Sequence, residues 1–252
     1  MRPPDSVIVS SKLPGLSRLR IAVRVQGDGD PLLLINGMTR PLMSWDPFTQ
    51  ELHGRMVISF DTPGVGGSPT PLRPLSIAEL GTVAMAVLDA AGVEDADVLG
   101  YSHGGAVAQQ LAVDVPARVR RLILVATSCG VGATPGTGGA ILRGLAGPVE
   151  GNSWPIPDLL GMFWQSLAVS SWSSIPFLGS IQAPTLVVCG SRDRIVPPAN
   201  SRLLAGRIPD AALSMLPGGH DVQGVDSAKA LALIVERFLS DGRATERLRI
   251  CG

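Results

Sequence analysis

The sequence predicts an α/β protein, with a mostly parallel central sheet and helices on both faces. Three observations carry that prediction. Short apolar runs recur along the chain, stretches with helical spacing lie between them, and turn residues bound both. Strands that alternate with helices in this way form parallel sheets, because each crossover must return across one face.

The elements follow in order. Leu19 to Val25, LRIAVRV, alternates apolar and charged residues, as a half-buried strand does. PLLLIN (Pro31 to Asn36), MVISF (Met56 to Phe60), DVLG (Asp97 to Gly100), RLILVAT (Arg121 to Thr127) and PTLVVCG (Pro184 to Gly190) are continuous apolar runs. Such runs suit strands buried on both faces. AALSML, Ala211 to Leu216, reads as a late strand. A helix over Ser76 to Ala91 opens on Ser76 and Glu79, a capping-box spacing, and closes at Gly92. Further helices are expected over His103 to Asp114, with Pro116 just beyond, over Pro198 to Arg207 and over Ser227 to Leu239, with Asp226 a candidate cap for the last.

One stretch breaks the alternation. Residues 127–182 contain no clear strand and only three charged residues, Arg143, Glu150 and Asp158. They hold three of the four tryptophans, Trp154, Trp164 and Trp172, together with Phe163 and Phe177. A connection this long is functional or disordered, and the aromatic content argues against disorder. It reads as a short apolar lid inserted into a core formed by residues 1–126 and 183–252. Trp154, Phe163, Trp164 and Trp172 are its candidate substrate-binding residues, and its aromatics leave a homodimer contact open.

Composition removes several function classes. Lys plus Arg equal Asp plus Glu, 21 against 21, so no overall basic field exists to hold nucleic acid or an anionic membrane. No uncharged apolar run is long enough for a membrane-spanning helix, and the first residues lack a signal-peptide pattern. Three widely spaced cysteines, Cys129, Cys189 and Cys251, form no metal pattern with the three histidines and fit a reduced, cytoplasmic setting.

The chemistry centres on GYSHG, Gly100 to Gly104, which matches the G-x-S-x-G template of a nucleophile elbow. A chain of this composition yields roughly 0.3 such matches by chance, so context must support it. The context is present: a buried strand enters Ser102 and a helical pattern leaves it. A serine needs a base, and the base needs an orienting acid. His53 ends the short helical stretch FTQELHG. His103 follows the serine and should point away from it. His220, in LPGGHD after the late strand, is the candidate base. Asp193, in GSRDRIVP after the preceding strand, is the candidate acid; Asp221 cannot readily turn back to the adjacent ring. The order Ser102, Asp193, His220 is that of the elbow fold. Backbone N–H groups of Met38, in INGMTR, and His103 are the candidate oxyanion hole. Asp61, in FDTPG, is expected to order its own loop.

With these pieces in hand, NGM, FDTPGVGGS, GYSHGG, GSRDRIVP and GGH in order over nearly the whole length, the chain resembles the α/β-hydrolase superfamily. Within it, LLLINGMTRPLMSWDPF, FDTPGVGGSPTP, AQQLA, ATSCG and SIQAPTLVVCGSRDRIVPPANSRLLAGRIPDA resemble the intracellular medium-chain-length poly(3-hydroxyalkanoate) depolymerases. The resemblance implies hydrolysis of aliphatic polyester through Ser102, Asp193 and His220. It departs from that family at His103, where tryptophan is expected, and in a shorter lid.

The expected reaction is ester hydrolysis of a small hydrophobic or polyester substrate, with no metal or organic cofactor. A thioesterase or acyltransferase and a cofactor-free perhydrolase would use the same triad. A ligand-binding protein on the same fold is the reading from a different class.

Overall fold

In the computed structural model, residues 5–9, 19–141 and 158–241 are described. Eight strands form one sheet: β1 (Asp5–Val9), β2 (Leu19–Gln26), β3 (Asp30–Ile35), β4 (Arg55–Phe60), β5 (Ala96–Tyr101), β6 (Val119–Val125), β7 (Thr185–Gly190) and β8 (Ala211–Leu216). Their spatial order is β1-β2-β4-β3-β5-β6-β7-β8. β2 runs antiparallel to both β1 and β4, and every other pairing is parallel. The mostly parallel α/β expectation is met. β1, DSVIV, is an addition: five residues give a weak signal until β2 supplies the pairing.

The helices are α1 (Asp46–Thr49), α2 (Ile77–Ala90), α3 (His103–Asp114), α4 (Leu159–Ser170), α5 (Pro198–Arg207) and α6 (Val225–Asp241). Period-two side-chain direction divides their packing into two cores. Leu33 and Ile35 of β3, Val98 of β5 and Leu122 and Leu124 of β6 face α2, α3 and α5. Leu32 and Leu34, Leu99 and Tyr101, and Ile123 and Val125 face α1 and α6 on the other side. The central strands are therefore apolar at successive positions, because both faces are covered.

Local chemistry fixes several ends. The Ser76 hydroxyl accepts from the Glu79 N–H, and the Glu79 carboxylate accepts from the Ser76 N–H, completing the capping box. α6 begins at Val225, earlier than expected, so Asp226 lies within its first turn instead of capping it. The carbonyl of Gly224 takes the first helical bonds, from Ser227 and Ala228.

β3 and β4 lie on one side of the point where the crossovers reverse, and β5 lies on the other. Open α/β sheets bind ligands at such a point, beyond the carboxyl ends of the strands. Between β6 and β7, α4 is the longest described helix, and its residues Ser166, Val169 and Ser170 line the cavity above β5. No helix among the described residues is long and apolar enough to cross a membrane.

Candidate active site

Ser102 stands at the turn from β5 into α3, with φ 51° and ψ −116°. Left-handed backbone is costly for a residue with a side chain, so its surroundings must hold it. They do so with hydrogen bonds. The Ser102 N–H donates to the Val125 carbonyl at 2.8 Å, and the Thr127 hydroxyl donates to the Ser102 carbonyl at 2.7 Å. The flanking glycines answer to space. A Cβ at Gly104 would fall on the Ile35 carbonyl oxygen, and one at Gly100 would meet Gly104 and Ala108.

His220 comes from the loop after β8 and Asp193 from the loop after β7. His220 Nε2 lies 3.0 Å from Ser102 Oγ, and His220 Nδ1 lies 2.7 Å from Asp193 Oδ2. Asp193 is buried, and its other oxygen accepts the N–H groups of Ile195 (2.8 Å) and Val196 (2.9 Å). The carboxylate is thus aimed by its own loop, with one oxygen left for the imidazole. Widely separated chain segments deliver Ser102, His220 and Met38 to one cavity, with Asp193 buried behind the imidazole, because each lies just past a strand's carboxyl end.

The Met38 loop has its own scaffold. The Asn36 side-chain amide donates to the Pro41 carbonyl at 2.9 Å and to the Ser44 hydroxyl at 2.7 Å. Its carbonyl oxygen accepts from the Gly37 N–H at 2.9 Å. Met38 and His103 line the cavity next to Ser102, and their backbone N–H groups have no acceptor among the described residues. Two amides left open beside a serine hydroxyl suit a developing oxyanion.

Asp61 does more than order its own loop. One carboxylate oxygen accepts the Gly67 N–H at 2.8 Å and the other the Leu42 N–H at 2.5 Å, joining the loops after β3 and β4. Burial pushes its carboxyl above the ordinary range, and the two amides pull against that. The partner loop lies in distant sequence, and for that reason the sequence did not reveal it.

The cavity above Ser102 holds about 1190 Å³. That is above the roughly 300–1,000 Å³ usual for small-molecule sites. Its described walls include Val169 and Ser166 of α4 and Ile195 and Val196 beyond β7. The lid aromatics are a correction. Phe163, Trp164 and Trp172 do not line it. Trp164 turns its indole N–H to the Pro71 carbonyl at 3.3 Å, Trp172 donates to Gln110 at 2.7 Å, and Phe163 is 57% exposed. Helical rotation sets which face of α4 meets the cavity, and anchoring sets that rotation. The anchor is Gln165, which donates to the Thr62 hydroxyl at 2.9 Å and accepts from the Thr39 N–H at 3.1 Å. Trp154 lies outside the described residues.

His103 is buried, and neither ring nitrogen has a hydrogen-bond partner. The Gln165 main chain approaches it without hydrogen-bond geometry. Burial pushes its imidazole down to about 4, so it is neutral at physiological pH. His53 is exposed beyond α1, and Cys129 and Cys189 are buried free thiols. Among the described residues no cluster of His, Cys, Asp and Glu could hold a metal ion.

The family model of the α/β hydrolase fold matches residues 30–137 and 131–227. A poly(3-hydroxyalkanoate) depolymerase of Ectopseudomonas oleovorans is 36% identical, over 84% of this chain and 85% of its own. A 2-hydroxymuconate semialdehyde hydrolase of Pseudomonas putida is 30% identical, over 87% and 90%. Among solved structures, a hydrolase from Pseudomonas aeruginosa PA01 superposes with a TM-score of 0.81 at 26% identity, over 94% of this chain and 98% of that one. The chain belongs to the α/β-hydrolase fold family and is a hydrolase of that family.

Proposed function

We propose that the protein is a serine hydrolase of hydrophobic carboxylic esters, acting through Ser102, His220 and Asp193. The observation that carries this reading is the continuous line Ser102 Oγ–His220 Nε2 at 3.0 Å and His220 Nδ1–Asp193 Oδ2 at 2.7 Å.

In the first step, Ser102 Oγ attacks the ester carbonyl carbon while His220 takes the hydroxyl proton. The carbonyl oxygen becomes negative and is held by the N–H groups of Met38 and His103. The intermediate collapses, the bond to the alcohol oxygen breaks, and His220 gives its proton to the leaving alcohol. His220 then takes a proton from water, which attacks the acyl-enzyme. A second collapse releases the acid and returns the proton to Ser102. Asp193 stays ionised and fixes the ring tautomer. Residues 127–182 serve as the lid, with Ser166 and Val169 of α4 against the substrate.

The roomy cavity and the depolymerase named among its relatives support an aliphatic acyl group, 3-hydroxyacyl polyester included. A p-nitrophenyl ester ladder from acetyl to long acyl chains, together with a 3-hydroxyalkanoate oligomer, tests the reading. Wild type turns over esters, and Ser102→Ala loses at least about 10⁴-fold in kcat, the scale seen when a triad serine is removed. Full activity in Ser102→Ala, or no ester turned over by a wild type whose Ser102 also escapes a fluorophosphonate label, sinks it.

A further inference from the structure

The loop that carries Met38 and the loop that carries His220 are joined by a pair of charges. Arg40 Nη1 lies 3.1 Å from Asp221 Oδ1. Arg40 ends the tight turn opened by Gly37, whose carbonyl accepts the Arg40 N–H at 3.2 Å. Asp221 directly follows the base. Beside the pair lies Tyr101, the residue before the nucleophile. The Arg40 guanidinium stands 5.5 Å from the centre of its ring. The His220 ring lies 5.3 Å from it, and the tyrosine hydroxyl donates to the His220 carbonyl at 3.1 Å. Tyr101 is buried, so the stack rests on a floor that cannot shift easily.

We propose that Arg40 and Asp221 are positioning residues, a clamp that sets the distance between the oxyanion loop and the base. This rests on the triad reading above. Three loops must agree in place for the reaction: Ser102 on its turn, His220 beside it and the Met38 amide opposite. Hydrogen bonds fix the first to the sheet and Asp193 aims the second. The Asn36 scaffold shapes the Met38 loop, and behind it Gln223 of the base loop donates to Asn36 at 3.4 Å and Ser44 at 3.2 Å. The Arg40–Asp221 pair is a direct tie between that loop and the base loop.

The geometry favours a structural tie over a substrate contact. Both side chains reach the cavity wall beside Ser102 but are mostly covered, 15% and 30% exposed. The arginine's charge is met by Asp221, and its guanidinium carbon lies over the Tyr101 ring. Breaking a partly covered ion pair costs some stability, and misplacement of about 1 Å near a reacting centre costs roughly 100-fold in rate. The clamp is therefore read in turnover of variants whose folding is checked alongside.

The test is steady-state kinetics on an uncharged p-nitrophenyl ester with Arg40→Met, Asp221→Asn, the double variant and Arg40→Lys, alongside Ser102→Ala. Each single variant is expected to lose about tenfold in kcat with KM changed less than about threefold. The double variant should lose no more than the worse single one, because the two act as one unit. Arg40→Lys should recover part of the loss, since it keeps the charge but not the forked guanidinium. The rate of fluorophosphonate labelling of Ser102 should fall in parallel. Wild-type kcat in both singles, losses that multiply in the double variant, or a rise in KM alone overturns the clamp. If Arg40→Met does not fold, by circular dichroism, the near-isosteric Asp221→Asn decides on the same criteria. Loss of activity in Ser102→Ala with wild-type rates in the pair variants removes the clamp only. An active Ser102→Ala removes the triad reading.

Discussion

The elbow between β5 and α3 and the helix α4 face each other across one cavity, and they are held in different ways. At the elbow, Gly100, Gly104 and Gly105 have no room for a Cβ, and the Ser102 backbone is bonded on both sides. On α4, Leu159, Leu160, Phe163 and Leu167 stand in solvent, and one close approach, Gly161 against Gly64, with side-chain ties from Asp158, Trp164 and Gln165, holds the helix to the core domain's loops. The floor is defined by space and by satisfied polar groups, the roof by a few anchors. A reacting centre needs the first kind of construction, because its groups must be held to fractions of an ångström. A cover over a substrate of variable length does not.

Gly104→Ala puts the sharpest strain on this comparison. The new methyl group would fall on the carbonyl oxygen of Ile35, a backbone atom in the centre of the sheet that has nowhere to move. Overpacking of a rigid site costs about 1–3 kcal/mol, and the expected loss here is about 3 kcal/mol or more. Urea unfolding checks it. A variant as stable as wild type would show that α3 can slide along β5, and the floor would then be no stiffer than the roof.

Much of the floor was legible in the sequence, and little of the roof was. Ser102 could be read because a tight strand-to-helix turn demands small neighbours at fixed positions, and sequence displays that directly. Asp193 and His220 could be proposed because each follows an apolar run whose end the fold turns toward one edge. The capping box at Ser76 and Glu79 is wholly local. Phe163, Trp164 and Trp172 turn elsewhere than aromatic content suggests, because that content says that a segment buries something, not which way each ring turns. Trp164 and Trp172 spend their indole N–H groups on Pro71 and Gln110, away from the cavity. The reach of Asp61 to Leu42 and of Arg40 to Asp221 joins residues 19 and 181 positions apart, and no local pattern announces such pairs.

His103 sits where the two regions meet, and it tests the boundary through pH. An unfolded histidine titrates near 6.5, whereas burial holds this one at about 4. Between those values the unfolded chain binds a proton that the folded chain does not. The folded state is therefore unpenalised above 6.5 and loses stability as pH falls toward 4, where the loss levels off. At pH 5 the penalty is about 2 kcal/mol. Urea unfolding of wild type and His103→Met at pH 7.5 and pH 5 isolates it, since the packing change is common to both conditions. The variant should lose about 2 kcal/mol less than wild type on acidification. Equal losses would mean that water reaches the ring beneath α4, and that the roof does not seal the elbow.

The smallest effect is expected on the outer face of α4. Phe163 is 57% exposed and its closest aromatic neighbour, Trp164, is anchored independently through its own N–H. Phe163→Ser removes mostly solvent-facing surface, so stability should change by no more than about 0.5 kcal/mol. Turnover of a short-chain ester should stay within about twofold, because Phe163 is not among the residues of α4 that line the cavity, Ser166, Val169 and Ser170. If the variant instead loses stability by several times that amount, the outer face is packed against something in solution. The contrast between a closed floor and an open roof would then apply only to the isolated chain. If stability holds but short-ester turnover falls tenfold, the helix rotates in use and brings Phe163 inward, which would return to that residue the substrate contact its aromatic character first suggested.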